Sequence, residues 1–174
     1  PLRPITAFLA RLLFRKKTTS FYMPKSGFEK FIWYLLHKTS FAPARGLNDL
    51  KKLVKSGRIE AHLVTGRYAS LTHDFEEWMK KIKADELFKS YTHNAGDQQP
   101  HVFKQSMIDK LGLDVFVEDN WDIVEKLRTK QKDGKQTKIV WITNLLDRHI
   151  PHDHKFLSLK NAVKQLEKFT GTSE

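Results

Sequence analysis

An α/β fold built on a doubly wound parallel sheet, preceded by a helical region, is what this sequence predicts, and three observations carry it. Val115-Phe116-Val117 and Ile139-Val140-Trp141-Ile142-Thr143 are apolar, β-branched and aromatic without alternation, the pattern of strands buried on both faces. Strand-like and helix-like segments alternate from Ile59 onward, as parallel sheets with crossover helices require. Residues before that point read as helix alone. The expected organisation is a helical cap-like region over residues 1–57, an α/β core over 58–150, and a C-terminal loop and helix over 151–174.

In order along the chain, Ile5, Phe8, Leu9, Leu12 and Leu13 recur at helical spacing with Arg11 and Arg15 opposite, predicting an amphipathic helix over 5–14. Pro24 suits a helix N1 position, and Phe28, Phe31, Ile32, Leu35 and Leu36 form a second stripe whose expected use is core packing. A third helix is expected over 43–55 with Leu47, Leu50, Leu53 and Val54 inward, stopped by Ser56-Gly57. The period then changes. Strands are expected over 59–65 and 87–93, with a helix over 71–83 between them, and Asn94-Ala95-Gly96-Asp97 is a loop by composition. Phe103, Met107, Ile108 and Leu111 define the face of a helix over 101–111, closed by Gly112. Ser158 is the expected cap of a last helix with Leu159, Val163, Leu166 and Phe169 as its stripe.

The 174 residues suffice for one domain with a sizeable core. No cysteine occurs, which removes disulfides, thiolate metal sites and cysteine nucleophiles and fits a cytoplasmic setting. Nothing approaches the roughly 18 consecutive apolar residues of a membrane span, and residues 4–14 lack the basic start and cleavage site of a signal peptide. The net charge of +11, with runs at Arg15-Lys16-Lys17 and from Lys126 to Lys138, suits an anionic partner: a phosphorylated small molecule, an acidic membrane surface or, from charge alone, nucleic acid.

Ligands of an open parallel sheet gather at the strands' carboxyl ends, here Thr65, His93, Glu118-Asp119 and Thr143-Asn144. Thr65 supplies a hydroxyl, Gly66 admits backbone amides to an anion, and Arg67 adds a bidentate donor. Lys104, on the first turns of its helix, reaches over the strand ends. Glu118 and Asp119 are hard oxygen ligands of the kind Mg²⁺ takes. The bland alternative for the acidic pair is a helix N-terminus that favours negative charge. His149-Ile150-Pro151-His152-Asp153-His154 is compatible with a transition metal, although a solvated loop is the expected reading.

The order Thr65, Lys104, Glu118-Asp119, each on its own βα unit, resembles the second, third and fourth motifs of the haloacid dehalogenase (HAD) superfamily, in its small phosphatase and nucleotidase-like members. The resemblance runs from Arg58 to Asn144 and is strongest from Phe103-Lys104 to Asp119-Asn120. It implies a Rossmann-like sheet of HAD type with the helical first third as cap, and a Mg²⁺-dependent phosphomonoester hydrolase. In that scheme Thr65 binds the transferring phosphoryl group, Lys104 stabilises nucleophile and phosphate, and Glu118 and Asp119 hold the metal. The family's first motif, a hydrophobic strand ending in Asp-x-Asp, is absent: the only aspartate before Thr65 is Asp49, inside a helix pattern. Family topology places that strand between the Thr65 strand and the Glu118-Asp119 strand. Because the chain opens on Pro1 instead of methionine, the strand is expected upstream of it; the rival expectation is an inactive HAD-like module that binds a phosphorylated or nucleic-acid ligand.

Overall fold

The computed structural model describes residues 21–38, 44–144 and 147–170. The chain divides into two compact units, Pro1–Phe41 and Ala42–Glu174. In the first, α1 (Gly27–Lys38) begins at a reciprocal cap. The Glu29 amide donates to Ser26 Oγ at 3.2 Å, and the Ser26 amide donates to Glu29 Oε2 at 3.0 Å. Pro24 therefore precedes the cap instead of occupying N1. Phe28, Phe31, Ile32 and Leu35, four members of the stripe expected to pack in a core, are exposed. The helix expected over 5–14 lies outside the described residues.

The second unit contains α2 (Leu47–Lys55), β1 (His62–Tyr68), α3 (Thr72–Lys81), β2 (Ser90–Asn94), α4 (Pro100–Leu111) and β3 (Val115–Glu118). A four-residue α5 (Trp121–Val124), then β4 (Lys138–Ile142), β5 (Lys155–Phe156) and α6 (Leu159–Thr170) complete it. Helix α2, expected within the cap-like region, packs instead with α6 and the α/β elements. Gly46 makes the approach of α2 and α6 feasible. Its φ of 108° is open to glycine, and a Cβ there would stand 2.4 Å from the Lys160 amide nitrogen. Leu53 is buried, and Leu47, Leu50 and Val54 pack against the cluster of Phe75, Met79, Ala84, Leu87 and Phe88. Ser158 caps α6 as expected, accepting from the Asn161 amide at 3.3 Å.

Every strand pair is parallel, but the strands form two small sheets, β1-β2 and β3-β4-β5. One sheet was expected. Among the described residues no strand joins β1 to β3, so each keeps an edge without a partner strand. The boundaries also shift. β1 starts later than Ile59 and continues through Gly66 and Arg67 to Tyr68, because an irregularity between Thr65 and Tyr68 lets the strand resume pairing at Asn94. β2 likewise starts at Ser90, since Leu87 and Phe88 turn into the core. Strand β5 was missed altogether: two residues are too few for any periodicity, and the strand exists through Trp141 N–H donating to His154 O and Thr143 N–H donating to Phe156 O, both at 2.8 Å.

Candidate functional site

Two of the sequence-selected side chains meet in the interior. Lys104 lies one turn into α4, which starts on the buried Pro100 at its first turn. Its ammonium donates to Glu118 Oε2 at the carboxyl end of β3, and both residues are buried, 7% and 4% exposed. The other Glu118 oxygen accepts from the Asn120 amide at 3.2 Å. Burial raises the Glu118 carboxyl above its ordinary range; Lys104 opposes this and Asp119 adds to it, and burial prevails. A lone buried charge would be far more expensive than this pair.

The lysine is also a neighbour of β1. A Cβ on Gly66 would stand 3.8 Å from Lys104 Cε and 3.1 Å from Pro100 Cβ, so the absence of a side chain at 66 lets α4 lie close on the strand. Lys104 thus touches both sheets. Thr65, the residue before Gly66 on β1, is partly buried and paired opposite His93, and its hydroxyl has no hydrogen-bond partner among the described residues. Asp119 is exposed at the end of β3.

Arg67 is not brought into this group as an open anion grip. Its guanidinium is buried, 8% exposed, and donates to Asp74 Oδ2 on α3 at 3.1 Å. The acidic pair does lie just ahead of a short helix, as the helix-start alternative requires. The cap of α5 is Asn120, whose Oδ1 accepts from the Asp122 amide at 3.0 Å, while Glu118 points at Lys104.

Residues that sequence reasoning passed over shape the same end of β1 and β2. Asn94 is fully buried, its Nδ2 donating to Gln98 O at 2.6 Å and its Oδ1 accepting from the Gln98 amide at 3.0 Å. Asp97 Oδ1 accepts from the Ala69 amide at 2.8 Å, tying the loop after β2 to the turn after β1. The Thr72 hydroxyl donates to Ala69 O and stands 2.8 Å from His93 Nε2. The available signal was Asn-x-x-Asp in a loop, a pattern that folds its own backbone.

The segment from His149 to His154 is more structured than the solvated loop expected. His152 packs edge-on against Trp121 and Trp141 at 6.0 Å each, the two indoles lie 4.5 Å apart, and burial lowers the His152 imidazole below its ordinary range. Among the described residues no three His, Asp or Glu side chains are grouped to hold a metal ion. Mg²⁺ takes one or two carboxylates in a set otherwise made of water and phosphate oxygens; at the end of β3 the exposed Asp119 offers one such group, whereas Glu118 is buried with both oxygens engaged.

Comparison with protein-family models, with curated proteins and with solved structures returns no match to this chain. Among the described residues no helix is long and apolar enough to cross a membrane.

Proposed function

We infer that the chain is a HAD-like phosphomonoester hydrolase fold that lacks a nucleophile strand of its own, and that its two small parallel sheets are the halves of one doubly wound sheet. The observation that carries this is Lys104: anchored beside Gly66 of β1, it reaches Glu118 of β3 across two strand edges that are not bonded to each other. A single strand inserted there would set β1 and β3 two strand spacings apart, about 9.6 Å. Both edges are parallel in sense to their own sheets, and unsatisfied parallel edges in an interior are unfavourable.

A strand entering that position with an aspartate at its carboxyl end would place a nucleophile next to the Lys104 ammonium. The aspartate would attack phosphorus, releasing the alcohol, and water would then cleave the aspartyl phosphate. Thr65 would donate its hydroxyl to a phosphoryl oxygen, with backbone amides at Gly66 beside it. Lys104 would offset negative charge on the phosphoryl group and the nucleophile, Glu118 holding it in place as a positioning residue. Asp119, with Glu118 second, would be the ligand for Mg²⁺, which supplies neutralisation of phosphate charge. The substrate is then a phosphorylated small molecule, and a cytoplasmic setting accords with the lack of cysteine.

The test is hydrolysis of p-nitrophenyl phosphate with Mg²⁺. The chain alone should show none; joined to a hydrophobic β-strand ending in Asp-x-Asp it should turn over, and lose that turnover on Asp119→Ala or Thr65→Val. Turnover by the chain alone, or a folded joined chain without turnover, overturns the assignment. A second reading has its own observation: both Glu118 oxygens are already engaged, by Lys104 and by the Asn120 amide. This favours an inactive module that holds a phosphorylated ligand, and phosphate binding with no turnover in the joined chain would select it.

A further inference from the structure

The largest local excess of charge sits at the other end of the sheet. From Lys126 to Lys138 the chain carries six cations, Lys126, Arg128, Lys130, Lys132, Lys135 and Lys138, against one carboxylate, Asp133. Such a run is commonly a loose solvated loop. Here it is a built hairpin. Lys130 and Gln136 form an antiparallel bridge, the Gln131 amide donates to Lys135 O at 2.8 Å, and the Thr137 amide donates to Thr129 O at 2.7 Å.

Two buried polar side chains fix it to the sheet. Gln131 Nε2 donates to Leu113 O at 2.8 Å and to Thr137 Oγ1 at 2.7 Å, and Thr137 Oγ1 donates to Leu113 O at 2.8 Å. Lys135 serves as a clip, donating to Gly112 O at 2.6 Å and pairing with Asp114. With Gln131 turned inward, Lys130 and Lys132 on either side of it are exposed and have no ion-pair partner among the described residues. Lys138 is exposed beside them, as is Arg128, whose guanidinium pairs with Asp109 at 3.3 Å. Holding the hairpin rigid in advance lowers the ordering cost of binding through these side chains.

We propose that this hairpin is a docking surface for the phosphodiester backbone of nucleic acid, separate from the Lys104–Glu118 site. The register places the two at opposite strand ends, since Lys138 pairs beside Val115 and Trp141 beside Glu118. The chemistry of the surface selects the partner. Residues 128–138 include no large apolar side chain, so nothing here anchors in a bilayer. Protein interfaces deplete lysine from their centres and rely on aromatic and apolar anchors. Nucleic-acid backbones need only cations and polar donors, and exposed Thr129 and Gln136 add the latter.

The experiment is fluorescence anisotropy of a labelled mixed-sequence DNA duplex across a salt series, with the whole chain, Lys130→Gln/Lys132→Gln, and Lys80→Gln/Lys164→Gln. The last removes equal charge from exposed positions on α3 and α6. The expected result is binding whose logarithm falls linearly with the logarithm of salt. The hairpin variant should lower that slope by about 2, one for each phosphate contact removed, while the α3/α6 variant leaves it unchanged. An equal loss in both variants, unaltered binding in the hairpin variant, no binding by the whole chain, or binding to anionic lipid vesicles in place of DNA would each overturn the proposal. Circular dichroism of both variants shows that they are folded.

Discussion

The two ends of β3 treat charge in opposite ways. At the carboxyl end, one lysine and one glutamate are buried against each other, each the other's only compensation among the described residues apart from a backbone amide. At the amino end, a polar scaffold holds several lysines out in water, and the buried groups are a neutral amide and a hydroxyl, Gln131 and Thr137. Charge taken into an interior must be worth its desolvation, which is considerable; charge left outside is nearly without consequence for folding. The first arrangement therefore carries a desolvation cost, and the second displays charge without it.

The largest effect expected follows from removing one member of the buried pair. Lys104→Met leaves Glu118 buried without its counter-ion and should destabilise the chain by about 3–5 kcal/mol, read as a lowered urea midpoint. Lys104→Met/Glu118→Leu removes both charges and should recover most of the loss. Equal destabilisation by the double variant would mean that packing around Lys104, and not charge, carries the effect.

The contrast explains which parts of the molecule the sequence made legible. Strands such as Val115–Glu118 and Lys138–Ile142 are written in short, unalternating apolar runs, and they pair in parallel. Lys104 and Glu118 were picked out separately, by position on a helix and at a strand end, and their contact is the consequence of the register between α4 and β3. What escaped was set by particulars that no period encodes. Arg67 looked like an anion donor because Asp74, seven residues on, belongs to the next helix, and only the turn between them brings it to 3.1 Å. The hairpin's order depends on Gln131 finding Leu113 O eighteen residues earlier. The separation into two sheets, β1-β2 and β3-β4-β5, depends on which strands pair, which no strand's own residues specify.

The second effect concerns pH. Since burial holds the Glu118 carboxyl above its ordinary range, the folded chain binds that proton more tightly than the unfolded chain does. The group's contribution to stability is complete below the ordinary glutamate range and is lost as pH rises through the raised folded value. Unfolding free energies of the chain and of Glu118→Gln, compared over that interval, should show the chain losing stability relative to the variant as pH rises. The reverse slope would mean that the Lys104 attraction exceeds the burial penalty.

The smallest effect belongs to the amino end. Lys130 and Lys132 are exposed, while the anchoring of their hairpin runs through Gln131, Thr137 and Lys135. Lys130→Gln/Lys132→Gln should therefore shift the unfolding free energy by no more than about 0.5 kcal/mol. Gln131→Leu, which strips Leu113 O and Thr137 Oγ1 of a donor, should cost about 1–3 kcal/mol in the same urea titration. If the lysine pair proved as costly as the glutamine, the two lysines would be part of the scaffold instead of its cargo, and the difference between the two ends of β3 would be one of degree alone.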